Sequence, residues 1–219
     1  MGRGGLGPLD GVDMGRIIVM HPQTPQERLA RLVVDAVRDG GVIAYPTDSC
    51  YALGCRLGDK AAMDRVLEIR RIDLKHHLTL MCADLSQLGL YAKVDNSSFR
   101  MLKAATPGPF TFILPATKEV PARTLHPKRK TIGLRVPDNK ICQALLRELG
   151  EPLLSCTLLL PDAETQPRGA QEILEAEGKR IDVVVDGGPC LSEPTTVVDL
   201  TDGATIVRRG LGNPADLGL

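Results

Sequence analysis

The sequence predicts an α/β fold in which one mixed β-sheet is covered by helices. Short apolar runs typical of buried strands alternate with amphipathic segments of helical period. The alternation is irregular, which favours a mixed sheet over a purely parallel one. The chain also ends in two short apolar segments, residues 195–200 and 204–207, on either side of Thr201-Asp202-Gly203. This spacing indicates an antiparallel pair.

The first half of the chain gives three strands and two helices. A strand is predicted at Arg16–Met20, and Thr24-Pro25 supplies an N-cap and a first-turn proline for a helix that Gly40-Gly41 ends. The remaining predicted elements are a strand at 42–45, a helix capped by Asp59 and ending at Arg70-Arg71, a basic connector at 70–77 and a strand at 77–82.

The second half continues the same pattern. We expect helices at 84–90, 96–105, 137–149 and 171–177, and strands at 110–114, 131–136, 153–157 and 181–185 before the final pair. The basic loop His126–Lys130 and the polar loop Gln166–Ala170 separate some of these elements.

Length and composition favour one domain. The 219 residues are enough to bury a single core, which we place at residues 15–210, with a flexible leader at 1–14 and a C-terminal tail at 211–219. Gly2–Gly7 matches the G-x-G-x-x-G dinucleotide pattern, but no strand precedes it and Pro8 follows, so the match is accidental.

Charge and cysteine usage limit the class of protein. Lys plus Arg and Asp plus Glu are both 27, so any attraction to nucleic acid must come from a local patch. The six cysteines form no C-x-x-C pair, which favours reduced thiols. There is no apolar run of the roughly 18 residues that a membrane span needs, so no membrane partner is expected and the predicted location is cytoplasmic.

The strand at 42–45 ends in Pro46-Thr47-Asp48-Ser49. Short polar side chains at the carboxyl end of a strand are suited to the floor of a ligand pocket. The same residues are also those of an ordinary turn in which Asp and Ser bind nearby backbone amides. Local chemistry leaves both interpretations open.

Several familiar kinds of site are absent from the sequence. There is no G-x-S-x-G elbow for a hydrolase and no Walker A loop. Adjacent His76-His77, and Cys50-x4-Cys55 without a second pair, do not make a metal site.

What remains is a set of basic and hydroxyl side chains near strand ends. Arginine and lysine bind phosphate and carboxylate groups, so these residues are candidates for one anion site if the fold brings them together. The alternative for each arginine is a solvated surface position. The candidates are Arg70, Lys75, Arg135 and Arg208, with the amides around Gly108 and the hydroxyls of Thr47, Thr131, Thr157, Thr195 and Thr196.

Four ordered motifs make the chain resemble the YrdC-like family over about residues 16–210. They are residues 41–54, 106–114, 131–137 and 194–200, followed by Arg208. Residues 79–82, 118–121 and 128–133 are similar to the YciO branch of that family. The resemblance implies a twisted mixed sheet with a basic concave surface.

The resemblance also implies an activity. Well-known members make threonylcarbamoyl-adenylate from threonine, bicarbonate and ATP, for transfer to an adenosine of tRNA. ATP would therefore be a substrate, Mg²⁺ could enter with it, and no tightly bound cofactor is expected. By position, the threonine-like substrate would contact Thr47, Arg135, Thr157 and Thr195, and the nucleotide would contact Arg70, Thr131 and Arg208.

Three positions depart from the synthase pattern. The K-x-R pair of the synthases becomes Arg70-Arg71-Ile72, the S-x-N pair becomes Thr157-Leu158-Leu159, and a strand histidine falls near Met81. A buried substrate group left without its partner costs roughly 1 to 3 kcal/mol. The departures predict a synthase activity that is weak or lost.

Two hypotheses follow. One is a threonylcarbamoyl-AMP synthase-type enzyme that binds an amino acid and a nucleotide. The other is a non-catalytic protein that binds tRNA or double-stranded RNA mainly through phosphates. The residues expected to contact RNA are Arg70, Arg71, Lys75, Lys128, Arg129 and Lys130.

Overall fold

The computed structural model describes residues 15–73, 75–161 and 166–219. The predicted leader, residues 1–14, therefore lies outside the described residues. Within the described residues, ten strands form one sheet: β1 Arg16–Val19, β2 Ile43–Tyr45, β3 Ala52–Arg56, β4 Thr79–Met81, β5 Phe110–Pro115, β6 Thr131–Arg135, β7 Leu153–Thr157, β8 Val183–Asp186, β9 Thr196–Asp199 and β10 Thr205–Arg208.

Six α-helices accompany the sheet in the same part of the chain: α1 Glu27–Arg38, α2 Lys60–Arg70, α3 Leu85–Tyr91, α4 Asn96–Ala105, α5 Lys140–Leu149 and α6 Ala170–Glu177. Two short 3-10 helices lie at Ala122–Thr124 and Pro214–Leu217. No helix of the described segments has both the length and the apolar character that a membrane crossing requires.

The sheet is mixed, as predicted. Its strand order is β1-β8-β2-β3-β7-β4-β6-β5-β9-β10. Strands β1/β8, β2/β8, β4/β6 and β5/β9 pair in parallel. The other neighbours are antiparallel, including the predicted terminal pair β9/β10. Strands far apart in sequence thus become neighbours, and the centre of the sheet combines both halves of the chain.

Most predicted elements are present with small shifts at their ends. Asp59 caps α2 as expected, since its side chain accepts a hydrogen bond from the Ala62 amide at 3.0 Å. The predicted cap at Thr24 is wrong: α1 begins at Glu27, and the Thr24 amide donates to His21 Nδ1 at 3.0 Å instead. Helix α5 begins after Asn139, which caps it, and not at Pro137.

One central strand was not predicted. Residues Ala52–Arg56 form β3, which pairs with β2 on one side and β7 on the other. The loop at 46–51 is therefore the connection of an antiparallel β-hairpin. Its position is fixed at both ends by strands in the middle of the sheet.

Side chains alternate between the two faces of the sheet. One face packs against α2, α3, α4 and α6 in the larger hydrophobic cluster. On the other face, α1 and α5 cover the part of the sheet near β1, β8, β2 and β3. The outward side chains of β5, β9 and β10 on this second face line a cavity instead, and that cavity carries the site.

The residues after 210 pack on the domain. Leu217 is buried in the cluster that also holds residues of α4. A Cβ added at Gly212 would lie 2.6 Å from the Phe110 ring, so the backbone approaches the end of β5 closely. The segment predicted as a tail, residues 211–219, thus packs against the end of β5 and the larger hydrophobic cluster.

Candidate functional site

The open face of the sheet holds a cavity of about 410 Å³. Its rim carries the cations Lys75 and Arg208 and the imidazoles of His76 and His77, and its floor is partly apolar. Hydroxyl groups from three strands and the residue before β9 complete it. The remaining lining residues are Thr79, Thr111, Ile113, Cys156, Thr157, Thr195, Val197 and Val207.

Strand alternation explains why threonines gather here. In the β4/β6 pair, Thr79 lies opposite Gly133, and Thr131 is two residues away on the same face. A Cβ at residue 133 would lie 2.9 Å from Thr79 Oγ1. Glycine at residue 133 therefore leaves room for the Thr79 hydroxyl.

The loop of Pro46–Ser49 acts both as a turn and as a holder of Arg135. Thr47 Oγ1 accepts a hydrogen bond from the Ser49 amide at 3.0 Å and donates to the Cys50 carbonyl at 2.7 Å. Arg135 Nη2 donates to Asp48 Oδ1 at 2.6 Å, and its Nη1 donates to Ser49 Oγ at 3.2 Å. These contacts match the turn interpretation, and the loop residues do not line the 410 Å³ cavity, so their role as a pocket floor stays a prediction.

Arg208 is fixed against the residue that precedes β9. Its Nε and Nη2 donate to the Thr195 carbonyl at 3.2 and 2.9 Å. Thr195 Oγ1 in turn lies 2.9 Å from Thr111 Oγ1. Arg208 therefore reaches the cavity from a strand at the edge of the sheet without a carboxylate to neutralise it in these contacts.

Three guanidinium groups lie close enough to affect one another. Burial lowers the pKa of Arg208, the guanidiniums of Arg135 and Arg70 lower it further, and Cys50 and Cys156 act in the opposite direction. Arg70 is buried and donates through Nη1 to the Leu159 carbonyl. Arg70 and Arg135 therefore both lie near enough to Arg208 to influence its pKa, while only Arg208 of the three lines the cavity.

The charges of this arginine cluster, which we define as Arg70, Arg135 and Arg208, are only partly balanced. Asp48 pairs with Arg135, while Arg70 and Arg208 donate to backbone carbonyls. Within the described residues, Arg70 Nε, Arg135 Nε and Asp48 Oδ2 are buried without a hydrogen-bond partner. Buried donors of this kind are satisfied when an anion or water binds.

Thr47 and Arg135 are buried and do not line the 410 Å³ cavity. Burial raises the pKa of Cys50 in the same loop, and the guanidiniums of Arg135 and Arg208 lower it. The residues predicted to contact the threonine-like substrate are therefore divided. Thr157 and Thr195 line the cavity, whereas Thr47 and Arg135 are buried outside its lining.

His77 connects the predicted nucleotide residue Thr131 to the cavity. Its Nε2 lies 2.9 Å from Thr131 Oγ1, and its ring stacks on His126 with centroids 4.8 Å apart. His126 Nδ1 accepts from the amides of Lys128 and Arg129 at 3.3 and 3.2 Å. From the sequence, His76 and His77 were excluded as a metal site and were not predicted to bind a ligand. Their place in the basic connector was the signal that could have identified them.

The histidine stack brings the two basic segments together. It joins the connector at 70–77 to the loop at 126–130. Arg71, Lys75, Lys128 and Lys130 are exposed, and Arg129 pairs with Asp199 at 3.3 Å. Arg70 is buried, so it does not share the surface of the other predicted RNA contacts. A second cavity of about 750 Å³ next to this stack is lined in part by Arg129, Thr131 and Asp199.

Comparison with known proteins agrees with this geometry. A family model covering Sua5, YciO and YrdC, described as "Telomere recombination", matches residues 35–210. The chain belongs to the Sua5/YciO/YrdC family. The match covers the loop after β2, the arginine cluster and both basic segments.

Individual relatives place the chain near the YciO branch of the Sua5/YciO/YrdC family. It is 52% identical to the uncharacterized protein YciO of Escherichia coli over 201 residues, 91% of this chain and 98% of that protein. The crystal structure of E. coli YciO superposes with a TM-score of 0.90 at 51% identity, covering 93% of this chain and all of that one.

More distant members of the Sua5/YciO/YrdC family have a defined activity or ligand. The chain is 32% identical to the threonylcarbamoyl-AMP synthase of Vibrio vulnificus over 158 residues, 71% of this chain and 84% of that protein. The structure of Pyrococcus abyssi Sua5 complexed with L-threonine matches with a TM-score of 0.81 at 25% identity, over 89% of this chain and 57% of that one.

The three departures from the synthase pattern have structural counterparts. Ile72 is half-buried and packs on the larger hydrophobic cluster. Met81 is buried in the cluster with α1 and α5. The Leu159 side chain offers no polar group, but its carbonyl accepts from Arg70. Ile72 and Met81 thus pack against apolar neighbours, and residue 159 contributes its backbone carbonyl.

Proposed function

We propose that this protein binds the triphosphate of ATP in the cationic cavity and has a weak threonylcarbamoyl-AMP synthase-type activity. The observation that supports the proposal is that Arg208 and Lys75 line the cavity, with Arg70 and Arg135 near enough to lower the pKa of Arg208 and with Asp48 paired to Arg135. Buried positive charge without full compensation is costly unless an anion neutralises it. A triphosphate is an anion of suitable charge for this site.

The proposed roles follow from position. Arg208 and Arg70 bind phosphate oxygens, and Thr131 contacts the nucleotide from the far side of His77. Thr157 and Thr195, which line the cavity, offer hydroxyls to an amino acid substrate. In the reaction, threonine, bicarbonate and ATP would give threonylcarbamoyl-AMP, pyrophosphate and water. Mg²⁺ would enter as the counter-ion of ATP.

The group proposed to bind the carboxylate of the amino acid is already paired within the protein. Arg135, the proposed partner of the threonine carboxylate, already holds Asp48, and the side chains are only 7% and 12% exposed. A substrate carboxylate must therefore displace Asp48 or share the guanidinium with it. This competition, together with Ile72 and Leu159, is our reason for proposing a weak activity.

Two measurements test the proposal separately. ATP binding by calorimetry should be lost or weakened by Arg208→Ala, since a hydrogen bond to a charged group contributes about 1.5 to 3 kcal/mol, roughly 10- to 100-fold in affinity. Arg209→Ala, at the exposed neighbouring position, is the matched control. Threonine-dependent pyrophosphate release then tests the chemistry. Absence of ATP binding by the wild type would overturn the proposal.

A second function is favoured by the basic surface around the histidine stack. We propose that Arg71, Lys75 and the exposed loop residues contact the phosphates of tRNA or double-stranded RNA. The support is the proximity of two basic segments that are about 50 residues apart in sequence, joined by the His77–His126 stack. A cytoplasmic location remains a prediction.

A further inference from the structure

Two imidazoles line the cavity that we assign to phosphate. His76 and His77 follow Lys75 along the rim and share the cavity with Arg208. His77 is held by its contact with Thr131 and its stack on His126. His76 is exposed on the same rim. Both rings can therefore meet a ligand that enters this cavity.

Charged groups from several elements surround the two imidazole rings. His76 lies near Arg70 of α2 and Arg208 of β10, with Asp73 of the connector opposing them.

His77 faces His126 and Arg129 of the basic loop and Asp199 of β9, besides its neighbour His76. Of these four groups, only Asp199 favours the charged form of the ring. Cations thus dominate the surroundings of both histidines.

This environment keeps the free rings neutral. Partial desolvation at the cavity rim lowers the pKa of His76, and Arg70 and Arg208 lower it further, while Asp73 raises it. Burial also lowers the pKa of His77, and so do His126, Arg129 and His76, against Asp199. Since the ordinary value is about 6.5, both imidazoles are mainly uncharged at neutral pH.

An anion in the cavity reverses the sign of the field at both rings. We propose that His76 and His77 are further binding residues of this site, which each gain a proton from solvent when ATP binds and then donate hydrogen bonds to its phosphates. For His77, Nε2 can keep its contact with Thr131 while Nδ1 donates to the ligand. The inference rests on the proposed function, because it takes the anion to be the triphosphate of ATP.

The sign of the pH dependence follows from linkage. Bound phosphate raises the pKa of each imidazole above its value in the free protein. ATP affinity therefore rises as the pH falls from the pKa of the complex toward that of the free protein, by at most about tenfold per pH unit for each proton taken up. Above the pKa of the complex, this gain is absent.

The experiment is calorimetric titration of ATP at pH 7 in buffers of different ionisation enthalpy, which counts the protons exchanged on binding. ATP itself titrates near this pH, but that contribution is common to all variants. The comparison uses the wild type, His76→Gln, His77→Gln and the double variant. His21→Gln is the matched control, because His21 is exposed beside β1 at the opposite edge of the sheet.

We expect each single variant to take up fewer protons than the wild type, the double variant fewest, and His21→Gln the same number. Glutamine at 77 can keep a hydrogen bond to Thr131, so a folding defect is not expected there, and His76→Gln tests an exposed position. Equal proton counts for the wild type and the variants, with ATP bound in each, would overturn this inference and leave the proposed function intact. If the wild type binds no ATP, the proposed function is overturned and this inference with it.

Discussion

Arg135 donates a 2.6 Å hydrogen bond to Asp48, 87 residues away in sequence, and both side chains are almost fully buried. The pair connects the end of β6 to the hairpin loop between β2 and β3. It fixes the loop that carries Thr47 and Ser49. The same contact also determines whether Arg135 is available to a ligand.

Removing the carboxylate should destabilise the fold. Asp48→Asn leaves Arg135 buried without its counter-charge, and breaking a buried pair in this way costs about 3 to 5 kcal/mol. We expect a decrease in the free energy of unfolding of about 3 kcal/mol, because Asn still offers an oxygen acceptor. Urea denaturation measures it, with Asp138→Asn at an exposed position as the control. A loss below about 1 kcal/mol would show that the pair is not maintained in solution.

A second buried contact involves β3, the strand that was not predicted from the sequence. Tyr45 Oη lies 2.7 Å from Ser155 Oγ, which donates to the Leu53 carbonyl of β3 at 2.8 Å. Burial raises the pKa of Tyr45, and Cys142 adds to this effect. Tyr45→Phe should lower the free energy of unfolding by about 1 kcal/mol, since one buried hydrogen bond is lost.

Tyr91→Phe is the matched control for that change, because Tyr91 is only partly buried. It should alter stability by less than about 0.5 kcal/mol. The comparison is again made by urea denaturation. Equal effects at residues 45 and 91 would mean that the hydroxyl of Tyr45 contributes nothing specific.

Local sequence patterns predicted most helices and strands but not which strands pair with each other in the sheet. Strand β5 at 110–115 and helix α4 at 96–105 were recognisable because their apolar spacing or caps are local signals. Strand β3 was missed because its place depends on pairing with β7, about 100 residues away. Its glycine, Gly54, also weakens a local strand signal.

The site shows the same division between local and long-range information. Residue types and motif order indicated Arg70, Arg135 and Arg208, but spacing could not show that Asp48 neutralises one of them and backbone carbonyls hold the others. The contact of His77 with Thr131 spans 54 residues and has no local pattern. Such contacts are created by strand order.

Restoring the polar groups of the synthase pattern should raise activity. Ile72→Arg with Leu159→Asn supplies the side chains that the synthase pattern has and this chain lacks, and the backbone carbonyl of residue 159 can still accept from Arg70. Each restored hydrogen bond of about 1.4 kcal/mol corresponds to roughly tenfold in rate. We expect threonine-dependent pyrophosphate release to increase by about that factor for each change.

The control for this gain is Ile17→Arg, because Ile17, like Ile72, is half-buried against the larger hydrophobic cluster but lies outside the motifs and the cavity. It should not raise the rate, and thermal unfolding will show whether each variant is folded. No increase in a folded Ile72→Arg, Leu159→Asn protein would argue against polar loss as the reason for weak activity.

RNA binding by the basic surface should depend on salt. Alanine at Lys128–Lys130 removes three positive charges, one of which, Arg129, is paired with Asp199. Each lost phosphate contact reduces the slope of log K against log salt by about 0.7 to 0.9. We therefore expect a slope reduced by about 2 for tRNA or double-stranded RNA, measured by filter retention between low and moderate salt.

The matched control removes three exposed charges elsewhere, with alanine at Arg28, Lys103 and Lys179. Both triple variants have the same net charge, so a difference between them reports the position of the charges and not the overall field. The His77–His126 stack holds the basic loop against the connector. Lys75→Ala should therefore weaken RNA binding in the same salt-dependent way. Equal slopes for the two triple variants would mean that RNA does not bind at this surface.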